Sequence, residues 1–340
     1  LAENNSIWIG STPTTTDTAE YNTALGYTSL DAITTGDKNV AIGAQSLTAL
    51  TTGYDNVAVG YEAGMALTEG FSNILIGRET ASTLTTGTYN TVVGWKSFMS
   101  NVGGDRNTAM GYSALKNYTE AGAGSNVALG MYAMNLHETG TLNVAVGYYS
   151  MSATGSTTNT RNIAIGAHTL YASSGTSDNT AVGNDAGRTI TTGSSNTLMG
   201  SYAGDSITTG ANNAIVGRSA AGRLVGSSNN TIMGVYAMYG HATQATVSDS
   251  NTAIGDSAMY TASGANHNVA IGKGALSGSS AGMTGDSNVA VGREALANAT
   301  SADGCVAIGY KAGYAQTTDD DGPVYIGYNA GVSDVANNKS

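Results

Sequence analysis

The sequence predicts an all-β protein, a parallel β-roll or β-solenoid of about 19 coils. The main observation is the five-residue phrase Asn-Val-Ala-Ile-Gly at residues 39–43, which occurs in 19 versions along the 340 residues. Twelve of the 18 intervals between the closing glycines are 17 residues long. A short period over a whole chain is typical of stacked repeats. Only two prolines occur, which suits a chain of backbone-paired strands.

The phrase itself predicts the strand of each coil. The residue before the glycine is always a large aliphatic or Met, the residue before that is mostly Ala, and the next is nearly always β-branched. Neighbours in a strand point to opposite faces, so one face carries the aliphatic and β-branched side chains and the other carries the alanines. Both faces are apolar, which predicts a strand covered on both sides. We expect one face to fill the coil and the other to meet copies of the same chain.

The rest of the unit predicts a corner and a looser second half. The third residue after the glycine is small, and the fourth is expected to pack. Seventeen residues accommodate two strands of about five residues and two turns, and 19 coils would form a rod of about 90 Å. A Thr-Thr-Gly sequence ends the second half in several units, where glycine is expected to supply backbone angles closed to other residues. These glycines are Gly36, Gly53, Gly87, Gly193 and Gly210.

Asparagine begins the phrase in 16 of the 19 units, and Ser6, Cys305 and Pro323 replace it in the others. Stacked coils lie about 4.8 Å apart, so side-chain amides in one column can bond to the coils above and below. The column therefore predicts a structural ladder rather than a ligand site. The ladder includes Asn39, Asn56, Asn73, Asn90, Asn107, Asn126 and Asn143.

Aromatic residues often occupy the two positions after the phrase glycine. Exposed rings stacked along a rod can bind sugar rings, or they can shield the corner between subunits with the hydroxyl in solvent. Both interpretations stay open at this point. The candidate recognition residues are Tyr61, Trp95, Tyr112, Tyr148, Tyr202, Tyr236 and, in the longest insertion, His241.

Three segments are predicted along the chain. Residues 1–26 are expected to be N-terminal capping or junction coils, because Trp8 stands where alanine is usual and end repeats are commonly atypical. Residues 27–331 form the repeat array, and residues 332–340 leave the pattern as a tail or linker. The chain starts at Leu1 without a signal-peptide pattern, so we expect a fragment or a processed product.

Composition argues against several classes of function. The net charge is −11, and 13 Lys and Arg residues among 24 acids make no basic surface for nucleic acid. No apolar run is long enough to insert into a membrane. The four histidines lack zinc-site spacing, and the acidic run at residues 319–321 lacks the spaced ligands of a calcium loop. With no catalytic constellation, we expect no enzyme, no metal and no cofactor, and we expect Cys305 to be a free structural thiol.

The repeated Asn-Val-Ala-Ile-Gly-x-x-Ala-Leu, followed by Thr-Thr-Gly-x-x-Asn, resembles the repeat regions of phage tail-fibre proteins. It is similar, less closely, to the β-roll head repeats of trimeric autotransporter adhesins. The likeness covers residues 5–331. It implies a left-handed β-roll assembled as a homotrimer, although the general preference for right-handed crossovers points the other way. The 17-residue unit is longer than the adhesin repeat, and neither membrane-anchor strands nor a heptad stalk is present, which favours a fibre segment.

The predicted function is therefore that of a structural attachment fibre, located in a virion tail fibre or at a cell surface. It would form a rigid trimeric rod that presents or contributes binding of a host-surface glycan or protein receptor. The alternative is the head of a bacterial trimeric adhesin that binds matrix or carbohydrate. A remote alternative is an ice-binding solenoid, because Thr is abundant; however, pairs such as Thr34 and Thr35 sit beside a turn and point to opposite sides.

Overall fold

The chain is an all-β parallel solenoid of about 17 turns, as the repeat predicts. The computed structural model describes residues 2–3, 5–10, 13, 18–152, 158–240, 247–279, 282–317 and 322–333. The number of turns is slightly below the predicted 19, although all 19 phrase strands lie within these residues. His241, the acidic run at 319–321 and most of the predicted tail also lie outside them.

The coils form two compact units, residues 1–168 and residues 169–340. In the first unit, ten strands with the repeated phrase pair in parallel and in register; Ala41, for example, lies opposite Ala58. Strand β1 (Ala2–Glu3) pairs antiparallel with β2 (Ser6–Gly10). Two further pairs lie outside this sheet, namely β8 (Gly104–Asp105) with β10 (Gly122–Ala123) and β12 (Thr139–Thr141) with β14 (Thr158–Thr160). The strands are β1 (Ala2–Glu3), β2 (Ser6–Gly10), β3 (Thr23–Gly26), β4 (Val40–Ile42), β5 (Val57–Val59), β6 (Ile74–Ile76), β7 (Thr91–Val93), β8 (Gly104–Asp105), β9 (Thr108–Met110), β10 (Gly122–Ala123), β11 (Val127–Leu129), β12 (Thr139–Thr141), β13 (Val144–Val146), β14 (Thr158–Thr160) and β15 (Ile163–Ile165).

The second unit repeats this arrangement with nine parallel strands. Their register aligns the phrases, so that Ala270 faces Ala253 on one side and Ala290 on the other. The strands are β16 (Thr180–Val182), β17 (Thr197–Met199), β18 (Ala214–Val216), β19 (Thr231–Met233), β20 (Thr252–Ile254), β21 (Val269–Ile271), β22 (Val289–Val291), β23 (Val306–Ile308) and β24 (Val324–Ile326).

The prediction of two five-residue strands per coil is wrong. Most phrase strands have three residues, and outside β8, β10, β12 and β14 the second half of the described coils runs through turns. The cause is backbone geometry, since the second and fourth residues after the glycine have left-handed φ angles, such as 60° at Gln45 and 49° at Leu47. A left-handed residue bends the chain out of a strand. Hydrogen bonds between coils hold these turns, as from Leu47 N–H to the Ala63 carbonyl, 3.0 Å.

The role expected for the Thr-Thr-Gly glycines needs correction. Gly53 does not adopt a left-handed φ; instead, a Cβ atom at this position would overlap the Gly70 carbonyl oxygen and lie 2.6 Å from Leu50 Cδ1. At Gly53 the missing side chain therefore serves the close approach of successive coils, and not an unusual backbone angle. The phrase glycines do need the angle, because Gly43 has a φ of 130°.

Two positions of each coil share one space in the core, and only one of the two carries a large side chain. In one coil Leu47 is large and Ala58 small; in the next, Gly64 is small and Leu75 large. A Cβ atom on Gly64 would lie 2.6 Å from Leu75 Cδ1, so the two positions share one space. Every one of the 17 coils from Gly26 to Gly327 follows this rule, with Ala or Gly at one position and a larger residue at the other.

Candidate functional site

The two faces of the phrase strands differ in how far their side chains are exposed. The alanine column points into the coil, and Ala41 and Ala58 are fully buried. The aliphatic and β-branched column therefore points outward, where Ile42 and Ile74 expose 37% and 42% of their surface. The sequence left open which face fills the coil. The structure gives that place to the column of Ala41 and Ala58, in which Leu75 stands where Gly64 leaves room for a large side chain.

We call the outward side chains the aliphatic face. None of its side chains is fully buried, and none is charged. In the first unit it consists of Ile7, Ile9, Thr23, Leu25, Val40, Ile42, Val57, Val59, Ile74, Ile76, Thr91, Val93, Thr108, Met110, Val127, Leu129, Val144, Val146, Ile163 and Ile165. In the second unit it consists of Thr180, Val182, Thr197, Met199, Ala214, Val216, Thr231, Met233, Thr252, Ile254, Val269, Ile271, Val289, Val291, Val306, Ile308, Val324 and Ile326. Monomeric soluble proteins rarely expose contiguous apolar surface of this extent.

The asparagine column lies inside the coils and forms hydrogen bonds from coil to coil. The Asn56 side chain is buried, and its amide nitrogen donates to Asn39 Oδ1 at 3.0 Å and to the Gly70 carbonyl at 2.9 Å. The Asn56 backbone N–H donates to the same Oδ1 at 3.1 Å. No side chain of this ladder is available to a ligand, because each is fully or almost fully buried. The other predicted members, Asn39, Asn73, Asn90, Asn107, Asn126 and Asn143, bond to their neighbours in the same way.

The three residues that replace asparagine in the column, Ser6, Cys305 and Pro323, fit the hydrogen bonding of their neighbours. Ser6 Oγ accepts the Asn22 backbone N–H at 2.9 Å, as an amide oxygen does elsewhere. Cys305 is buried, and its N–H donates to Asn288 Oδ1 at 2.9 Å. Cys305 offers no amide oxygen to the next coil, but Pro323 follows it in the column and has no N–H to donate.

Aromatic side chains form a continuous row at the corner beside the aliphatic face of the first unit. Ring centroids are 5.2 Å apart for Trp95 and Tyr112, 5.1 Å for Tyr112 and Tyr132, and 4.7 Å for Tyr132 and Tyr149. We call Trp95, Tyr112, Tyr132, Tyr148, Tyr149 and His168 the aromatic row; its last members, Tyr148 and His168, lie 5.5 Å apart.

Charged residues extend the aromatic row toward Tyr61. The Arg78 guanidinium lies 5.7 Å from the Tyr61 ring centroid and 5.8 Å from that of Trp95. Lys96 Nζ lies 5.5 Å from Trp95. The structure thus brings Tyr61, Trp95, Tyr112 and Tyr148 together at one corner, as their shared position in the repeat implied.

The remaining candidates fall elsewhere. Tyr202 and Tyr236 belong to the second unit, where Tyr236 packs 5.5 Å from Tyr239. Sequence reasoning missed His168, because histidine replaces the aromatic residue of the pattern there. It also missed a second stack in the first unit, where Phe71 lies 4.8 Å from Tyr54 and 5.2 Å from Tyr89. In the sequence, Tyr54 and Phe71 each lie six residues before the next phrase glycine. This shared position is the signal that identifies the column.

The aliphatic face and the aromatic row are therefore the two candidate functional surfaces among the described side chains. Within the described ranges, no group of three or more His, Cys, Asp or Glu residues is arranged to hold a metal ion. The same part of the chain contains no helix with the length and apolar character needed to cross a membrane. No protein-family model matches the chain, and no curated protein matches it either.

Proposed function

We propose that the chain is a structural segment of an attachment fibre, such as a phage tail fibre or a similar surface appendage. Three copies would assemble through their aliphatic faces into a rigid rod that presents or contributes host recognition. The observation that carries this proposal is the aliphatic face itself. It runs through every phrase strand of both units, is partly exposed throughout and contains no charged residue.

A second copy of the chain is the partner that fits this surface best. The face repeats at the spacing of the coils, so an identical chain offers the same strip at the same spacing, and each contact recurs along the unit. Burying the exposed half of an aliphatic side chain contributes about 1 kcal/mol. Summed over a unit, this exceeds about 10 kcal/mol, which offsets the loss of translational and rotational freedom on association.

The mechanical part of the proposal follows from the bonding between coils. Within each unit, parallel strand pairing, the asparagine ladder and the turn hydrogen bonds all run along the stacking direction. Bending the array would strain all three sets of bonds together, which suits a load-bearing segment. The threefold symmetry and the left-handed winding rest on the resemblance to tail-fibre repeats, and closed symmetry is the usual arrangement of homo-oligomers.

Native mass spectrometry with sedimentation velocity tests the assembly. We expect a particle of three times the chain mass of 34.1 kDa. Replacing two outward residues, Ile74→Lys and Ile76→Lys, should yield monomers with an unchanged circular dichroism spectrum, because the lysines extend into solvent once the copies separate. Thr86→Lys is the matched control, since Thr86 is exposed in the same unit outside the face. A monomeric wild-type chain at micromolar concentration would overturn the proposal.

A further inference from the structure

We propose that the aromatic row binds an extended, uncharged polysaccharide chain, which lies along the stacked coils of the first unit. This binding does not depend on the trimeric assembly proposed above. It rests on the placement of Trp95, Tyr112, Tyr132 and Tyr148 on successive coils, within ring-to-ring contact of one another or of an intervening ring.

The coils do not need aromatic residues at these positions in order to fold. Ala44 and Gln45 occupy them in the coil that follows Gly43, and Asp256 and Ser257 occupy them after Gly255. The Gln45 backbone has the same left-handed φ of 60° as Tyr132. The rings also lie outside the coil, whose interior is already filled by the paired core positions. Five successive coils that each carry a ring at this corner therefore indicate a surface with a separate purpose.

The geometry of the row suits a chain of sugar rings. Trp95 exposes 46% of its surface and Tyr148 exposes 43%, while Tyr112 and Tyr132 are half-buried and held in place by their neighbours. The coil spacing is comparable to the advance of one hexose unit in an extended chain, so sugars and rings can stay in step over several coils. Sugar rings present apolar C–H faces to aromatic rings, and the tyrosine hydroxyls add polar contacts at the rim.

The charges around the row favour a neutral ligand over nucleic acid. From Tyr112 to Tyr149 the corner positions carry no charged side chain. The nearest cations are engaged with a carboxylate, since Arg78 Nε lies 2.9 Å and Lys96 Nζ lies 3.4 Å from Glu79. Single-stranded nucleic acids also stack on aromatic platforms, but their binding requires a positively charged groove along the backbone.

Trp95 provides a direct reading of binding in the unaltered protein. Only two tryptophans occur, and Trp8 is 4% exposed, so the quenching of fluorescence by acrylamide reports mainly on Trp95. Cellohexaose and chitohexaose serve as extended probes, with maltohexaose as a curved counterpart and hexathymidylate as a nucleic-acid probe. We expect an extended hexasaccharide to bind and to protect Trp95 from acrylamide. Binding without protection, or binding of hexathymidylate alone, would overturn the proposal.

A double variant locates the site. Tyr112→Ala with Tyr132→Gln gives this part of the row the residues that Ala44 and Gln45 already carry, so the coils should fold. Removing two stacking rings should weaken hexasaccharide binding at least about tenfold. Tyr54→Gln is the control, at an exposed tyrosine of the first unit outside the aromatic row, and should bind like the wild type. Equal binding by the double variant and the wild type, or no binding of any hexasaccharide to the wild type, contradicts the proposal.

Discussion

At the residue scale, the asparagine ladder shows how a buried polar side chain stabilises a stack of short coils. Asn73 Oδ1 accepts the backbone N–H of Asn90 at 3.0 Å and its side-chain amide at 3.1 Å. The Asn73 amide nitrogen donates to the Gly87 carbonyl at 2.9 Å. The same nitrogen donates to Asn56 Oδ1 of the preceding coil at 3.0 Å. One side chain therefore satisfies groups on both neighbouring coils, and its loss leaves buried groups without partners.

Asn73→Ala should lower the free energy of unfolding by about 3 kcal/mol, because several buried hydrogen-bonding groups lose their partner at once. Urea denaturation followed by circular dichroism measures the change. The control is Thr52→Ala, at an exposed position of the same unit whose backbone is not left-handed, which should change stability by less than about 0.5 kcal/mol. Equal effects of the two substitutions would show that the ladder contributes little.

A buried histidine adds a pH dependence in the first unit. His137 has no exposed surface, and its Nε2 lacks a hydrogen-bond partner. Burial lowers the pKa of His137 from 6.5 to about 4, because the interior disfavours the imidazolium. The unfolded chain takes up the proton first as pH falls, so stability is lost between about pH 6.5 and pH 4, by up to about 3 kcal/mol.

His137→Leu should remove this part of the pH dependence, since Leu84 occupies the same core column in an earlier coil. Urea denaturation at pH 7 and pH 4 compares the variant with the wild type. Burial and the neighbouring Asp185 raise the pKa of Asp205 to about 6, which has the opposite effect on stability. Both proteins contain Asp205, so the difference between their changes in unfolding free energy isolates the contribution of His137. His267→Gln, at an exposed site, is the control; parallel pH profiles for the wild type and His137→Leu would refute the prediction.

At the scale of one coil, packing is decided by a pair of positions that share one space. Leu47 with Ala58 and Gly64 with Leu75 are the two solutions, and they occupy successive coils. Shape complementarity of this kind makes single substitutions costly and paired substitutions tolerable. The pairing also explains why the inward column of the phrase strand is mostly alanine.

Leu75→Ala should cost about 3 kcal/mol through the cavity it leaves. Adding Gly64→Leu should recover most of that loss, because the coil then has the arrangement of Leu47 and Ala58. Gly64→Leu alone should be destabilising, since its side chain would meet that of Leu75. A double-mutant cycle of unfolding free energies measures the coupling. Additive effects of the two substitutions would exclude a shared space.

At the scale of the whole molecule, the repeat predicts that coils can be removed in complete units. Deletion of residues 44–60 removes one 17-residue unit and joins Gly43 to Tyr61, so every phrase stays in register. We expect a folded chain with an unchanged type of circular dichroism spectrum and a similar oligomeric state. Deletion of residues 44–52 is the control, because it removes only part of a unit and moves the following turn out of register. The shortened chain should therefore pack poorly and show no cooperative unfolding transition.

Much of the fold could be predicted from the sequence, because identical coils repeat identical constraints. The period of 17 residues, the asparagine column and the two-sided apolar strand are visible without coordinates. The second half of the coil could not be predicted, because left-handed angles at residues such as Gln45 and Leu47 carry no glycine or asparagine signal. The tyrosines of the candidate row were visible in the sequence, but the contact of His168 with Tyr148 was not.

The sequence by itself determined that the chain is a parallel stack of short coils, because periodic side chains can satisfy one another only when the coils are stacked in register. Only the tertiary structure decided which side of the strand faces solvent. The phrase is apolar on both sides, so its pattern cannot distinguish them. The choice depends on the shared core space, which Leu47 fills beside Ala58 and Leu75 fills beside Gly64. That packing turns the valines and isoleucines outward, where they form the aliphatic face.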